Sequence, residues 1–413
     1  MRSEVIRARH AVAVVFALSG VAMATWLSRI PHVRDQLGLT PGELGRMLLF
    51  GACGAIVALP TAGLVVNRIG SRRAVAGGAL LMALGAALVG LGTGPAASVV
   101  VVSAGLFTIG YGVGTVDVAM NVEGAAVERR LGRAIMPRLH AGFSLGTMVG
   151  AGFGALAAAT GLPVPVHLGA LAIVTVAVAL PACRRFLPAA GVPAGPGGFR
   201  PAHTSLWAVW REPRTLLVGL MVLGSAFSEG TANEWLAVGL VDGFQVSNAA
   251  GAIGYAIFVT AMTVGRIWGT PAIDRFGRVP VLRTSAVLTV AGVLLVVFGG
   301  SMPIALAGAV VWGAGAALGF PVGMSAAADD PVRAAVRVSV VSSIGYAAFL
   351  AGPPLLGWLG DHQGVQRALL VVVVAAAVSA LVAGATREPP RSAVRLGEVR
   401  GERVPAEVRT RPA

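Results

Sequence analysis

An all-α polytopic membrane protein of twelve helices is what this sequence predicts, and three observations predict it. First, 56% of the 413 residues are hydrophobic and only 12% are charged, with a mean hydropathy of +0.80. A soluble chain carries about 25% charged residues, so half the expected charge is missing. Second, the charge is segregated. All 32 basic residues are arginine, and all but five fall in one set of alternating loops and at the two ends of the chain. Of the five, Arg29, Arg34, Arg46 and Arg367 fall on the opposite side and Arg266 sits inside an apolar run. The net charge of +14 is therefore a positive-inside bias and not a nucleic-acid face. Third, apolar runs long enough to cross a bilayer recur along nearly the whole chain.

Taken in order, runs bounded by charge, Gly and Pro cover about 9–29, 43–66, 74–93, 97–121, 138–161 and 164–182 in the first half. In the second half they cover about 214–240, 249–270, 280–299, 302–326, 337–359 and 365–385. The first follows Arg2, Arg7 and Arg9 and carries an Ala22-Met23-Ala24 that imitates a signal-peptide cleavage site. Because further spans follow, it reads as a retained signal-anchor helix. An even number of spans with arginine-rich ends places both termini in the cytoplasm. Arginine without lysine, amid abundant Ala, Gly and Pro, hints at a bacterial genome, hence the plasma (inner) membrane. Residues 184–213, rich in Pro and Gly, read as a cytoplasmic linker between six-helix units 1–183 and 214–385. The tail 386–413 is too polar to pack and reads as disordered. Cys53 and Cys183 share no metal-like spacing with histidines and read as ordinary thiols. Gly352-Pro353-Pro354 is expected to interrupt the eleventh helix.

The two halves repeat. GLVVNRIGSRR at 63–73 aligns with TPAIDRFGRVP at 270–280, putting Asn67 over Asp274 at an offset of 207 positions. Asp35 and Asp242 share that offset, and Trp26 and Trp235 nearly do. Two parallel repeats with a solute path at their interface form one large transporter architecture.

The first of these loops resembles the G-x-x-x-D-R-x-G-R-R signature of the major facilitator superfamily, through Gly63, Asn67, Arg68, Gly70, Ser71, Arg72 and Arg73. Its echo keeps Asp274, Arg275, Gly277 and Arg278, with Thr270 for the first glycine, and Asn67 stands where the first copy should have an acid. Glycines permit a tight turn, and an acid beside arginines at a helix end can lock neighbouring helices in one state. The stretches TWLSRIPHVRDQLGLTPGELG, GYGVGTVDVAMNVEGAAVE, MPRLHAGFSLG and FSEGTANEW look like the fucose-permease-like branch and its bacterial relatives. The resemblance implies a monomeric symporter of a sugar-like solute and protons, with no cofactor.

Acids within lipid are costly unless they face a cavity or a partner. Asp117 and Asn121 stand i, i+4 on the fourth span, and Glu229 and Asn233 repeat that spacing on the seventh, followed by Glu234 and Trp235. An acid with an amide in each half is what a proton-coupled polar cavity needs. Asp117 could instead be a structural acid between helices, and Glu234 could sit at a helix end. Arg266 reads as an ion-pair or snorkelling cation, His140 as interfacial, and Arg29 as a gate or anchor. Span five carries Gly146, Gly150, Gly152 and Gly154 without the proline of the drug-antiporter signature. No catalytic, metal or phosphate-loop motif occurs, which speaks against an enzyme or an ATP-driven pump. The expected function is a secondary transporter of a small polar, sugar-like solute. A proton-antiporting exporter or a non-transporting sensor remains as an alternative.

Overall fold

The computed structural model describes residues 2–94, 96–131, 135–187, 206–330 and 333–388, and of Arg2, Leu59, Pro60, Asn67, Pro137, Leu206, Trp207, Thr270, Ala334 and Ala335 only the backbone. Residues 188–205 of the expected linker and 389–413 of the expected tail lie outside the described residues. All the described secondary structure is helical, because lipid offers backbone N–H and C=O groups no partner and each apolar run must satisfy its own.

The chain runs through α1 (Arg2–Leu27), α2 (Ile30–Leu37), α3 (Pro41–Thr93), α4 (Val99–Leu131), α5 (Met136–Ala159) and α6 (Val164–Cys183). After the short α7 (Leu206–Val209) come α8 (Pro213–Thr231), a π-helical turn (Ala232–Leu236) and α9 (Ala237–Phe244), which together form one span. They are followed by α10 (Asn248–Phe276), α11 (Arg278–Phe298), α12 (Met302–Ala316), α13 (Gly319–Ala327) and α14 (Ala334–Gln363). The last elements are α15 (Val365–Ala368) and α16 (Val371–Val382).

Among the described residues, eleven helical stretches are long and apolar enough to cross a membrane. The expected second span, 43–66, is not one of these eleven. It forms the first arm of α3, which bends at Gly70 (φ 81°, ψ 158°), a left-handed conformation that L side chains resist. Gly277, at the repeat offset, adopts nearly the same geometry (φ 80°, ψ 166°) between α10 and α11. Helix boundaries depart from expectation in two more places. The first helix runs from Arg2 to Leu27, and after a break α2 starts at Ile30 with Arg29 at its N-cap and Pro31 in its first turn. The tenth span divides between α12 and α13.

The predicted interruption at Gly352-Pro353-Pro354 is corrected: α14 continues through both prolines. Each proline removes one helical donor without ending the helix, and α3 packs closely on α14 here. A Cβ at Gly45 of α3 would lie 2.3 Å from the Pro353 oxygen.

Helices α1 to α6 pack chiefly on one another, as α3 against α4 and α6 and as α1 against α5. Helices α8 to α16 form a second group built on α8 with α14 and α16 and on α12 with α10 and α11. Small residues let these backbones approach closely, the usual means of packing where lipid removes the hydrophobic drive.

The two groups meet along α3 with α14 and along α5 with α10. Their polar contacts gather at the end away from the termini. There Arg34 bridges Asp35 (2.9 Å) and Asp242 (2.6 Å). Asn248 donates to Asp35 (2.7 Å), and the Gly42 amide donates to Asp361 (2.9 Å). Ala155 and Ala158 of α5 pack on Ala252 of α10 at the same end. Nearer mid-span, Thr263 donates to the Ser144 carbonyl (3.4 Å).

At the terminal end of the second group, Glu212 caps the approach to α8 and is gripped by Arg337, with Thr215 donating at 2.6 Å. The Arg337 guanidinium holds its carboxyl below the ordinary carboxylate range. A depressed acid contributes stability above its unfolded pKa and loses it as pH falls through the folded value. The purified protein should therefore lose thermal stability below the ordinary carboxylate range, with a shallower loss in Glu212→Gln. Identical pH profiles for the two proteins would refute the assignment.

Candidate functional site

Two constellations stand out, one where the helices end and one near mid-span. At the terminal end, the loop predicted as a lock uses different partners from those expected. Asp274 is exposed and forms no ion pair among the described residues. Arg278 instead donates to both oxygens of Asp329 at the end of α13 (2.8 and 3.0 Å) and to Ser325. Arg214 grips the same carboxylate (2.6 Å) and the Ala385 carbonyl. Asp274 points into solvent where water screens it, whereas Asp329 is enclosed by two guanidinium groups and needs both.

The first repeat builds the same device from different chemistry. Ser71, one residue past the Gly70 bend, donates to Glu123 of α4, whose other oxygen accepts the Leu187 amide (2.7 Å). Glu123 is buried (4% exposed). Arg68 and Arg72 are exposed, as is Arg275, whose guanidinium lies over Phe276 (5.3 Å). The side chain of Asn67 lies outside the described residues. Gly63 meets nothing within 4 Å of an added Cβ, so packing does not require a glycine there. Sequence reasoning missed Glu123. The signal was present, since Glu123 and Asp329 lie within one position of the repeat offset.

Near mid-span, Arg266 of α10 donates to both oxygens of Glu229 on α8 (2.9 and 3.0 Å) and to the Ala317 carbonyl (3.3 Å). Both partners keep partial exposure, 26% for the arginine and 19% for the acid. The ion-pair reading of Arg266 thus has a named partner. The pair also explains why the i, i+4 arrangement with Asn233 is not the one formed: the guanidinium occupies the Glu229 carboxylate. Across the interface, Asn121 donates to the Asp117 carboxylate (3.1 Å) and carbonyl (2.8 Å).

His140 joins the two sets. It lies within electrostatic reach of both Asp117 and Arg266, and its ring meets Phe16 edge-on (5.1 Å). His140 is exposed in the first turns of α5. Tyr346 of α14 lies within reach of Asp117, and Tyr255 of α10 within reach of Glu229.

Glu234 belongs to the π-helical turn, not to a helix end. It lines a narrow space with Thr231, Trp235, Phe349 and Pro353. The Thr231 hydroxyl, the Trp235 indole N–H and the Tyr255 hydroxyl are buried without protein partners. π-Helical turns are rare and concentrate at functional sites. The arrangement sets a carboxylate against a cation near mid-span, with hydroxyl and indole groups buried on the neighbouring turns.

Comparison with known proteins gives a consistent picture. The family model described as Major Facilitator Superfamily matches residues 12–269 and 218–412. An uncharacterized transporter, y4wD of Sinorhizobium fredii, is 32% identical over 375 residues, covering 90% of this chain and 96% of its own. Membrane protein MosC of Rhizobium meliloti is 32% identical over 378 residues, covering 91% and 88%. Among solved structures, the nucleoside transporter NupG superposes with a TM-score of 0.69 at 14% identity, over 92% of this chain and 98% of that one. A variant of the E. coli fucose:proton symporter superposes with a TM-score of 0.60 at 18% identity, over 92% and 98%. At these identities the structural likeness establishes the fold alone.

Proposed function

The chain belongs to the major facilitator superfamily, a multi-pass membrane transporter family, and on that footing we propose that it couples movement of a small polar, sugar-like solute to protons. Asp117 with Asn121 serves the first half, Glu229 with Arg266 the second, and His140 lies between them. Asn233 and Glu234 extend the site along the π-helical turn. The halves rock about this region so that it opens to each side of the membrane in turn. The chain sits in the bacterial plasma membrane with both termini in the cytoplasm and works as a monomer.

The observation that carries the reading is the bidentate, partly exposed pair of Arg266 with Glu229, with His140 within electrostatic reach of both Arg266 and Asp117 of α4. A protonated Glu229 would release Arg266, and a released cation beside His140 and Asp117 alters what a solute meets. The buried hydroxyl, indole and amide groups suit a polyol better than a flat lipophilic compound. Nucleoside and fucose carriers among the similar folds agree with that class of cargo.

The test is a thermal-shift screen of the detergent-purified protein against pools of sugars and nucleosides, followed by uptake into proteoliposomes under an imposed pH gradient. A ligand at about 100 times its Kd should stabilise by about 2.7 kcal/mol. Uptake should require the gradient and vanish in Asp117→Asn. Binding only to lipophilic cations would overturn the cargo, and gradient-independent uptake would overturn the coupling.

The contacts between halves, gathered at the end away from the termini, support a state closed to the outside. Gly45→Val places bulk where the Pro353 carbonyl approaches, so it should hold that end apart. A cysteine placed at Ala252 in this background should label with a membrane-impermeant maleimide faster than in the parent. Equal labelling would count against this closure.

A further inference from the structure

Arg29 stands at the break between α1 and α2, and the chain leaves it fully enclosed (0% exposed). One guanidinium nitrogen donates to the Leu162 carbonyl (2.6 Å), while Nε and the other terminal nitrogen are buried without partners. A guanidinium has five N–H donors and does not lose its charge in proteins, so this is an enclosed cation with most of its donors unused. An enclosed charge left uncompensated is among the most expensive features a membrane fold can hold.

Among the described residues, no acid forms an ion pair with Arg29. His32, one helical turn along, and His167 of α6 each lie within electrostatic reach of Arg29, and the Nδ1 of each is buried without a partner. The Leu162 carbonyl that Arg29 does reach precedes the start of α6, whose first turn has no side-chain cap. The free N–H groups and the dipole of that 20-residue helix favour negative charge. The acid acting on His32 is Asp35, and it is engaged elsewhere by Arg34 (2.9 Å) and Asn248 (2.7 Å).

We propose that Arg29, His32 and His167, with the start of α6, form a binding site for a small inorganic anion of halide size. The anion supplies the missing counter-charge, accepts from the unused guanidinium N–H groups and is seated by the two imidazoles. It lies beside the Arg34 contacts that join the two halves and apart from the Asp117 and Glu229 groups. Its occupancy is therefore a structural condition of the closed end, independent of which solute the protein carries.

The test measures thermal stability of the full-length protein in sodium chloride, sodium bromide or sodium gluconate at constant ionic strength. The expected result is a saturable rise in Tm with chloride and bromide relative to gluconate, lost in Arg29→Gln and reduced in His167→Gln. No difference between the salts would mean that water fills the site and would overturn the proposal, as would an undiminished rise in Arg29→Gln. Should Arg29→Gln fail to fold, bromide-soaked crystals of the unaltered chain decide. An anomalous peak against the Arg29 guanidinium supports the site, and bromide found only elsewhere, as an adventitious ion only, refutes it.

Discussion

Glu229→Gln is expected to abolish gradient-driven uptake in proteoliposomes while the protein still reaches the membrane. The substitution keeps the shape of the side chain and its ability to accept one hydrogen bond from Arg266, and it removes the group that can carry a proton. It also leaves Arg266 without a counter-charge. Breaking one side of a buried ion pair costs about 3–5 kcal/mol. Here both groups keep partial exposure, so a loss of about 1–3 kcal/mol is the reasonable scale. Adding Arg266→Gln should restore most of that stability, because neutral partners of similar size no longer strand a charge, while coupling stays absent. Stability and coupling thus separate in the double variant. Wild-type coupled uptake in Glu229→Gln would remove this acid from the mechanism, and a double variant no more stable than the single one would deny that the pair matters to the fold.

The second large effect is expected at the bends. Gly70→Ala and Gly277→Ala should each destabilise by about 1–3 kcal/mol, because φ near +80° with extended ψ is strained for any residue bearing a Cβ. The strain falls where it does most damage, since Ser71 and Arg278 must leave the bend aimed at Glu123 and Asp329. Gly63→Ala is the internal control and should be neutral or stabilising by up to about 1 kcal/mol, since it lies within the helix and a Cβ there meets open space. Tm values measured in one detergent decide. A loss at Gly63 equal to that at Gly70 would show that the bend does not set the effect.

The sequence by itself determined the membrane class, most helix positions, the repeat and both bends, because these rest on local quantities. An apolar run of about 20 residues has no option in lipid but to satisfy its own backbone, and a glycine at a positive-φ turn is written into the chain at Gly70 and Gly277 alike. Asp117, Glu229 and Arg266 were legible for the same reason, as ionisable groups where apolar ones belong. What only the tertiary structure decided is which charge meets which. Arg278 could equally have paired with Asp274 four residues away, yet it pairs with Asp329, 51 positions on. Arg266 finds Glu229 on another helix, and His140 comes within electrostatic reach of both Asp117 and Arg266. Helix packing sets these distances, and electrostatic interaction depends on distance and burial in space, which sequence separation does not encode.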